Sequence, residues 1–187
     1  MAEIYIPEPG SEMVFGPFPE DCVFHLEKSS MYAEEFRRDG AKSCEFILLR
    51  DHTLYFVEAK KTCPNCKNTS ESDKKQEKYR EYITDISQKM SDSLEMFTSI
   101  LLKCNDTEEI PDRMRLNDLK DYAIRFVLVV KNAEPGWLEP YPAVLQSKLR
   151  KEMSIWHVPS FIVWTEERAK KRGLVSNHTH DDVLVTA

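Results

Sequence analysis

Two β-prone runs on either side of a short polar segment constrain this chain more than any other feature. They span residues 44–49 and 54–60, and residues 50–53 separate them. Both runs carry apolar side chains at successive positions, which predicts a β-hairpin that is central in its sheet and covered on both faces. With a two-residue or a four-residue turn, paired residue numbers sum to 103, so Glu45 lies opposite Glu58.

The remaining pattern predicts one α/β domain. The expected elements are a first strand at 22–26, a short helix from 29 or 30 to 38, a long helix at 73–103 with an apolar stripe, a buried strand at 122–130, a helix at 142–156 and a strand at 160–165. This order implies a central mixed β-sheet flanked by helices on both faces. We place the domain at residues 22–175, after an extended N-terminal arm or edge segment (1–21) and before a polar C-terminal tail (176–187).

Composition sets further limits. The chain has 187 residues, 41% of them apolar, which is enough to bury a core. A formal net charge of −6 argues against a surface coated in positive charge for indiscriminate nucleic-acid binding, although a local basic groove remains compatible with it. The sequence shows neither a membrane-length apolar run nor a signal pattern, and its five cysteines are too sparse for a disulfide scaffold. We therefore expect a reduced, cytoplasmic protein that does not enter a membrane.

The opposed carboxylates of the hairpin are the only constellation in the sequence that carries chemistry. Directly opposed Cβ atoms lie about 4.5–5.5 Å apart, and like charges there are destabilising. Either a divalent cation or Lys60, which shares the face of Glu58, would compensate them. Hard cations such as Mg²⁺ and Mn²⁺ prefer oxygen, and Glu45, Glu58 and the backbone carbonyl of Ala59 are the candidate ligands. The alternative is a salt-bridge cluster at an exposed strand end, which contributes little stability.

Glu45, twelve intervening residues and then Glu58-Ala59-Lys60 resemble the signature of the PD-(D/E)xK nuclease superfamily. The sequence also looks like a bacterial branch of it, in which a Val-Glu-Ala-Lys strand precedes a long helix. The resemblance implies a restriction-endonuclease-like fold and a metal-dependent hydrolysis of phosphodiester bonds, with DNA as the expected nucleic acid. Glu45 and Glu58 would bind Mg²⁺ or Mn²⁺, and Lys60 would be the catalytic lysine that assists attack by water.

The resemblance has departures and possible extensions. The first acid is usually Asp, whereas this chain has Glu45. Some members add a Glu from the first helix, for which Glu27 is the favoured candidate here. Gln76 is a further candidate, but Tyr79 follows it after three residues instead of the four that the exonuclease branch has. An inactive nuclease-fold binding or adaptor module is therefore the alternative function, which the net charge also favours.

Lysines beside these residues are candidate phosphate contacts. Lys61 follows the predicted strand, and Lys74, Lys75 and Lys78 crowd the start of the long helix. Such lysines reconcile an acidic protein with a nucleic-acid substrate, whereas solvated helix faces are the equally ordinary explanation. Many members of this fold dimerise to cut two strands, so a homodimer is a further expectation from the resemblance.

Cys63 and Cys66 form a CxxC pair directly after the predicted catalytic strand. The pair offers two zinc ligands, whereas a structural zinc site needs four and the sequence has no second CxxC. Two ordinary loop cysteines are the preferred interpretation. A zinc-stabilised interaction domain is the alternative, and it predicts stoichiometric zinc in the purified protein.

Overall fold

A computed structural model describes residues 2–65, 72–105, 109–115 and 118–178. The strands in this part of the chain are β1 (Glu3–Glu8), β2 (Met13–Pro19), β3 (Val23–Phe24), β4 (Phe46–Arg50), β5 (Thr53–Lys60), β6 (Ala123–Val130) and β7 (Phe161–Thr165). The helices are α1 (Asp73–Leu101), α2 (Pro135–Leu138), α3 (Tyr141–Lys148), α4 (Arg150–Ile155) and α5 (Glu166–Lys171).

The expected mixed sheet is confirmed. Five strands follow one another in the order β3-β4-β5-β6-β7. The first three are antiparallel neighbours, whereas β5, β6 and β7 run parallel. The carboxyl ends of these three parallel strands therefore meet at one edge of the sheet, and β4 starts at the same edge.

The hairpin register agrees with the sequence prediction. Phe46 pairs with Val57 and Arg50 pairs with Thr53, so the paired numbers sum to 103. Asp51 and His52 form a two-residue turn and have φ angles of 50° and 54°. Positive φ at both central positions is the geometry that suits the twist of a two-residue hairpin.

Helix α1 covers one face of the sheet, as its apolar stripe predicts. Ile86, Met90 and Phe97 are among its fully buried residues, and the ring of Phe97 meets that of Phe56 on β5 edge to face. The hydroxyl of Ser72 accepts a hydrogen bond from the backbone N–H of Lys75 at 3.3 Å and caps the start of the helix. No helix of the described ranges has the length and apolar content needed to span a membrane.

The N-terminal segment covers the opposite face. The sequence indicates an extended arm or edge segment there, and in the structure two strands, β1 and β2, pair as an antiparallel hairpin. Side chains alternate along a strand, so Phe46 points away from the face that carries Phe56. On the face opposite to Phe56, the rings of Phe15 and Phe18 pack against Phe46. The hairpin is therefore part of the core.

Three local predictions differ from the structure. The expected strand at 22–26 is reduced to the two residues of β3, because 3-10 turns precede and follow it. The short helix expected to end at residue 38 is a π-helical turn at Tyr32–Phe36. The single helix expected at 142–156 is divided into α3 and α4 because Leu149 has φ −99° and ψ 19°, outside the helical region. Beyond residue 178, the predicted tail lies outside the described residues.

Candidate functional site

The predicted acids and lysine meet at the edge where β5 ends and β4 begins. Glu45 lies one residue before β4, and its N–H donates to the carbonyl of Val57 at 3.0 Å. Val57 is also the partner of Phe46, so the regular pairing ends at Phe46, and Glu45 lies in a bend just before it, at the same edge of the sheet as Glu58. Glu58 and Lys60 share the face of Phe56, which is the face covered by α1. The structure thus brings together all three residues that the sequence predicts as catalytic.

Glu58 is a completely buried carboxylate, with 0% of its surface exposed. Its Oε1 atom lies 2.8 Å from the Nζ of Lys89 and 3.1 Å from the Nζ of Lys60. Its Oε2 atom is buried and has no hydrogen-bond partner among the described residues. Burial raises the pKa of Glu58, whereas the two lysines oppose this rise. The carboxylate is therefore held in place by two ammonium groups on one of its oxygens.

Lys89 is a member of the site that the sequence analysis missed. It lies on α1 next to the buried Met90, and 16% of its side chain is exposed. Its Nζ also lies 3.9 Å from the Oε1 of Glu45, so one ammonium group stands between the two opposed acids. Burial works against its charge, yet the carboxylates of Glu58 and Glu45 raise the pKa of Lys89 above its usual value. Lys89 thus remains protonated over the physiological range.

Asp85, one helical turn before Lys89, fixes the position of Lys60. Its Oδ2 lies 3.3 Å from the Nζ of Lys60, and its Oδ1 accepts a 2.9 Å hydrogen bond from the Nζ of Lys42. The backbone N–H of Lys42 in turn donates to the carboxylate of Asp92 at 2.8 Å. Despite partial burial, Lys42 and Lys60 lower the pKa of Asp85. Lys60 is therefore held between two carboxylates, Glu58 on its own strand and Asp85 on the helix.

Two further carboxyl groups converge on the other side of Glu45. Glu8 ends β1, Glu27 lies in the 3-10 turn Leu26–Lys28, and carboxylate oxygens of Glu8, Glu27 and Glu45 lie within 4.8 Å of one another. We call these three residues the carboxylate triad. Side-chain hydrogen bonds join Glu45 to both of its partners. Contacts of this kind between carboxyl groups are favourable when one of the two groups carries a proton.

The environment of Glu45 favours its protonated form. Burial raises the pKa of Glu45 to about 10, and the neighbouring charges of Glu58 and Glu8 and the hydrogen bond with Glu27 act in the same direction. Burial also raises the pKa of Glu8. Ionising Glu45 thus requires a compensating positive charge beside it.

The charge balance of the whole cluster also indicates that additional positive charge is needed. It contains three lysines (Lys42, Lys60 and Lys89) and five acids (Glu8, Glu27, Glu45, Glu58 and Asp85). If all are ionised, five negative charges against three positive ones leave a formal charge of −2. Two protons or one divalent cation would balance this charge.

A hard divalent cation fits the carboxylate triad, but it does not fit the ligand set predicted from the sequence. The carboxylate triad offers three oxygen atoms close together, the ligand type that Mg²⁺ and Mn²⁺ prefer. The ligand set predicted from the sequence, Glu45 with Glu58 and the carbonyl of Ala59, has the ammonium group of Lys89 between its two acids. Glu45 is common to both sets. Glu27, the favoured additional acid, belongs to the triad.

The other predicted residues lie farther away or form separate contacts. Lys61 forms an ion pair with Glu12, near the tip of the β1–β2 hairpin. Gln76 lies on α1 nine residues before Asp85, about 13 Å along the helix axis. The three lysines at the start of α1 are exposed and precede Asp85 on the same helix; they are Lys74, Lys75 and Lys78.

The structure describes one of the two cysteines of the CxxC pair. Cys63 is buried, and the neighbouring carbonyl of Pro64 accepts a hydrogen bond from the hydroxyl of Tyr141 at 2.5 Å. Cys66 lies outside the described residues. Zinc binding by this pair therefore stays a prediction.

Comparison with known proteins does not assign this chain to a family. A scan against protein-family models and searches of curated proteins and of solved structures find no match.

Proposed function

We propose that this chain is a divalent-cation-dependent nuclease of the PD-(D/E)xK type, with a restriction-endonuclease-like fold. The observation that carries the proposal is the placement of Glu45, Glu58 and Lys60 at one edge of the sheet. The order of elements supports it, because the β3-β4-β5 meander is followed by α1 and then by the parallel strand β6. The resemblance implies this combination of motif and meander.

The carboxylate triad is the place where the cation would bind. Glu45, Glu27 and Glu8 supply its oxygen ligands. When bound, a cation of this kind positions the attacking water and stabilises negative charge that develops on the phosphodiester. Glu58 holds Lys60 in position, and the ammonium of Lys60 donates a hydrogen bond to the attacking water or to a phosphate oxygen.

The substrate that we propose is nucleic acid, and DNA in particular. Lys61 and Lys131 lie just after the carboxyl ends of β5 and β6, beside the candidate site. The lysines at the start of α1 extend this positive charge along the helix. Phosphate contacts of this kind add affinity without sequence specificity.

A second candidate function is a non-catalytic binding or adaptor module on the same fold. Lys89 favours it, because its ammonium group already neutralises Glu58 without any metal ion. A site balanced in this way is stable as a salt-bridge network, and such a network has no need of chemistry.

The test is cleavage of a panel of duplex and single-stranded DNA and RNA, each with Mg²⁺, Mn²⁺ or a chelator. Glu45→Gln is the informative variant, because Glu58→Ala would leave two lysines facing an apolar gap and so mix catalysis with folding. Glu81→Gln, an exposed acid on α1, is the matched control. We expect metal-dependent cutting that Glu45→Gln abolishes and Glu81→Gln retains. Activity that survives in Glu45→Gln would contradict the proposal, and an absence of cutting throughout would favour the binding module.

A further inference from the structure

We propose that Lys89 occupies the position between Glu45 and Glu58 that a bridging divalent cation would need, so that the native chain binds no cation between these two acids. The inference deepens the proposed function, on which it rests for its catalytic meaning but not for its test. It follows from the disagreement between the ligand set predicted from the sequence and the contacts in the structure.

The first step is the competition for one oxygen atom. The Oε1 of Glu58 is the atom that faces Lys89 at 2.8 Å, and it also accepts Lys60 at 3.1 Å. A cation that bridges the two acids would stand within contact distance of an ammonium group. Two positive charges this close repel each other strongly in a buried site. The cation and Lys89 therefore exclude each other.

The second step is that Lys89 has no inexpensive way to leave. Its helix is anchored to the sheet by Ile86 and Met90, which are both fully buried on either side of it. If the ammonium group moved out, Glu58 would keep only Lys60, which it already shares with Asp85. Leaving a buried carboxylate without its charged partner strongly destabilises the folded protein. The ion pair thus locks Lys89 in the site.

The third step concerns what Glu58 would do once Lys89 is removed. Its Oε2 atom is buried and unpartnered among the described residues, and its Oε1 atom would lose the shorter of its two contacts. Together with Glu45, it would form an undercompensated pair of carboxylates. A hard divalent cation is the ligand that such a pair favours.

The functional consequence is an upper limit on the number of cations. Within the part of the chain that the structure describes, a cation would bind at the carboxylate triad and not between Glu45 and Glu58, and Glu58 would act by holding Lys60 and Lys89 and not as a metal ligand. Lys89 would then supply, as a fixed charge, the compensation between the two acids that a bridging cation would otherwise supply.

The experiment counts bound Mn²⁺ per chain by titration with electron paramagnetic resonance, without any substrate. We expect Lys89→Met to bind one Mn²⁺ more than the unmodified protein. Lys89→Arg, which keeps the charge, and Lys78→Met, an exposed lysine on the same helix, should show no gain. The gained ion should disappear in the double variant Lys89→Met with Glu58→Gln. Equal counts in Lys89→Met and the unmodified protein would overturn the proposal.

A second variant keeps the proposal testable if Lys89→Met fails to fold. Glu58→Gln alone should leave the Mn²⁺ count of the otherwise unmodified chain unchanged, because Glu58 is not a ligand while Lys89 is present. A lost ion in this variant would overturn the proposal.

The outcomes also separate this inference from the proposed function. A gained ion in Lys89→Met without cleavage by any variant would leave the inference standing and the nuclease proposal refuted. Metal-dependent cleavage together with a lost ion in Glu58→Gln would support the nuclease proposal and overturn the inference about Lys89.

Discussion

A side-chain hydrogen bond joins the carboxyl group of Glu8 to that of Glu45, 37 residues further along the chain. The bond makes the N-terminal hairpin part of the candidate site, because Glu8 is the last residue of β1. Because the Oε1 of Glu45 lies 3.9 Å from the Nζ of Lys89, the bond also connects the hairpin on one face of the sheet with α1 on the other.

Replacing Glu8 should therefore weaken cation binding. We expect Mn²⁺ to raise the melting temperature of the unmodified protein, because a ligand that binds only the folded state stabilises it by about 2.7 kcal/mol at a hundred times its Kd. Glu8→Gln removes one oxygen of the carboxylate triad and should shift the Mn²⁺ dependence to higher concentrations. Thermal melts over a range of Mn²⁺ concentrations measure this shift. Glu3→Gln, an exposed acid on the same strand, is the control, and an equal response of the two variants would contradict the prediction.

Stability without metal should fall as the pH rises through the neutral range. The pKa of Glu45 is raised to about 10 in the folded protein, so between its ordinary value and that value the folded state holds a proton that the unfolded state has lost. The stabilisation is complete below the ordinary pKa and is lost as the pH approaches the raised one. One such proton changes the free energy of unfolding by up to about 1.4 kcal/mol per pH unit.

Urea unfolding in chelator between about pH 7 and pH 8.5 measures this slope, because the lowered pKa of His25 and the raised pKa of Cys44 act outside that window. Glu45→Gln should flatten the slope, and Glu81→Gln should not. An unchanged slope in Glu45→Gln would show that the proton resides elsewhere.

Asp85→Asn should impair cleavage through the position of Lys60. The carboxylate of Asp85 lies 3.3 Å from the ammonium group of Lys60. None of the ion pairs among the described residues joins Asp85 to the carboxylate triad. Removing a hydrogen-bond donor of this kind typically costs about 10²–10³ in rate and misplacing it costs a part of that, so we expect a rate at least about tenfold lower. Mn²⁺ binding should change little. Rates and Mn²⁺ titrations of Asp85→Asn and of the exposed control Asp73→Asn test both parts, and an equal loss of metal affinity and rate would contradict a positioning role.

The buried ion pair between Glu58 and Lys89 should show strong coupling in stability. Removing one partner of such a pair costs about 3–5 kcal/mol, whereas replacing both with apolar residues of similar volume is often nearly neutral. We therefore expect Lys89→Met and Glu58→Met each to destabilise the protein more than the double variant does. Urea unfolding of the unmodified protein, the two single variants and the double variant gives the free energies for this double-mutant cycle. Additive single effects would indicate that the 2.8 Å contact carries no net coupling.

The parts of the structure that the sequence predicted are those governed by local periodicity. The hairpin register follows from two β-prone runs around a two-residue turn, and α1 follows from apolar residues at helical spacing. The approach of Glu45 and Glu58 at one end of the hairpin depends only on that register. It could therefore be predicted from the sequence.

The missed residues of the site depend on tertiary packing. Nothing in the sequence around Glu8 relates it to Glu45, since only the docking of the β1–β2 hairpin brings the two together. Asp85 and Lys89 carry a weak signal, because they are four positions apart and lie beside the buried residues Ile86 and Met90. Charged residues within an apolar stripe are ordinarily assigned to its solvated margin. Here, ion pairs with Lys60 and with the buried Glu58, both on β5, bring Asp85 and Lys89 into the site.

The turn that sets the register offers a final prediction. His52 holds a φ of 54°, a left-handed conformation that glycine adopts more readily than any residue with a Cβ. Its ring also contacts that of Tyr122, with centroids 5.7 Å apart, so a substitution removes this contact as well. His52→Ala and His52→Gly both lose the ring, and only the second relieves the backbone. We expect His52→Gly to be more stable than His52→Ala by about 1 kcal/mol in urea unfolding. If the two variants were equally stable, the left-handed turn would not be what fixes the hairpin pairing that brings Glu45 and Glu58 to one edge of the sheet.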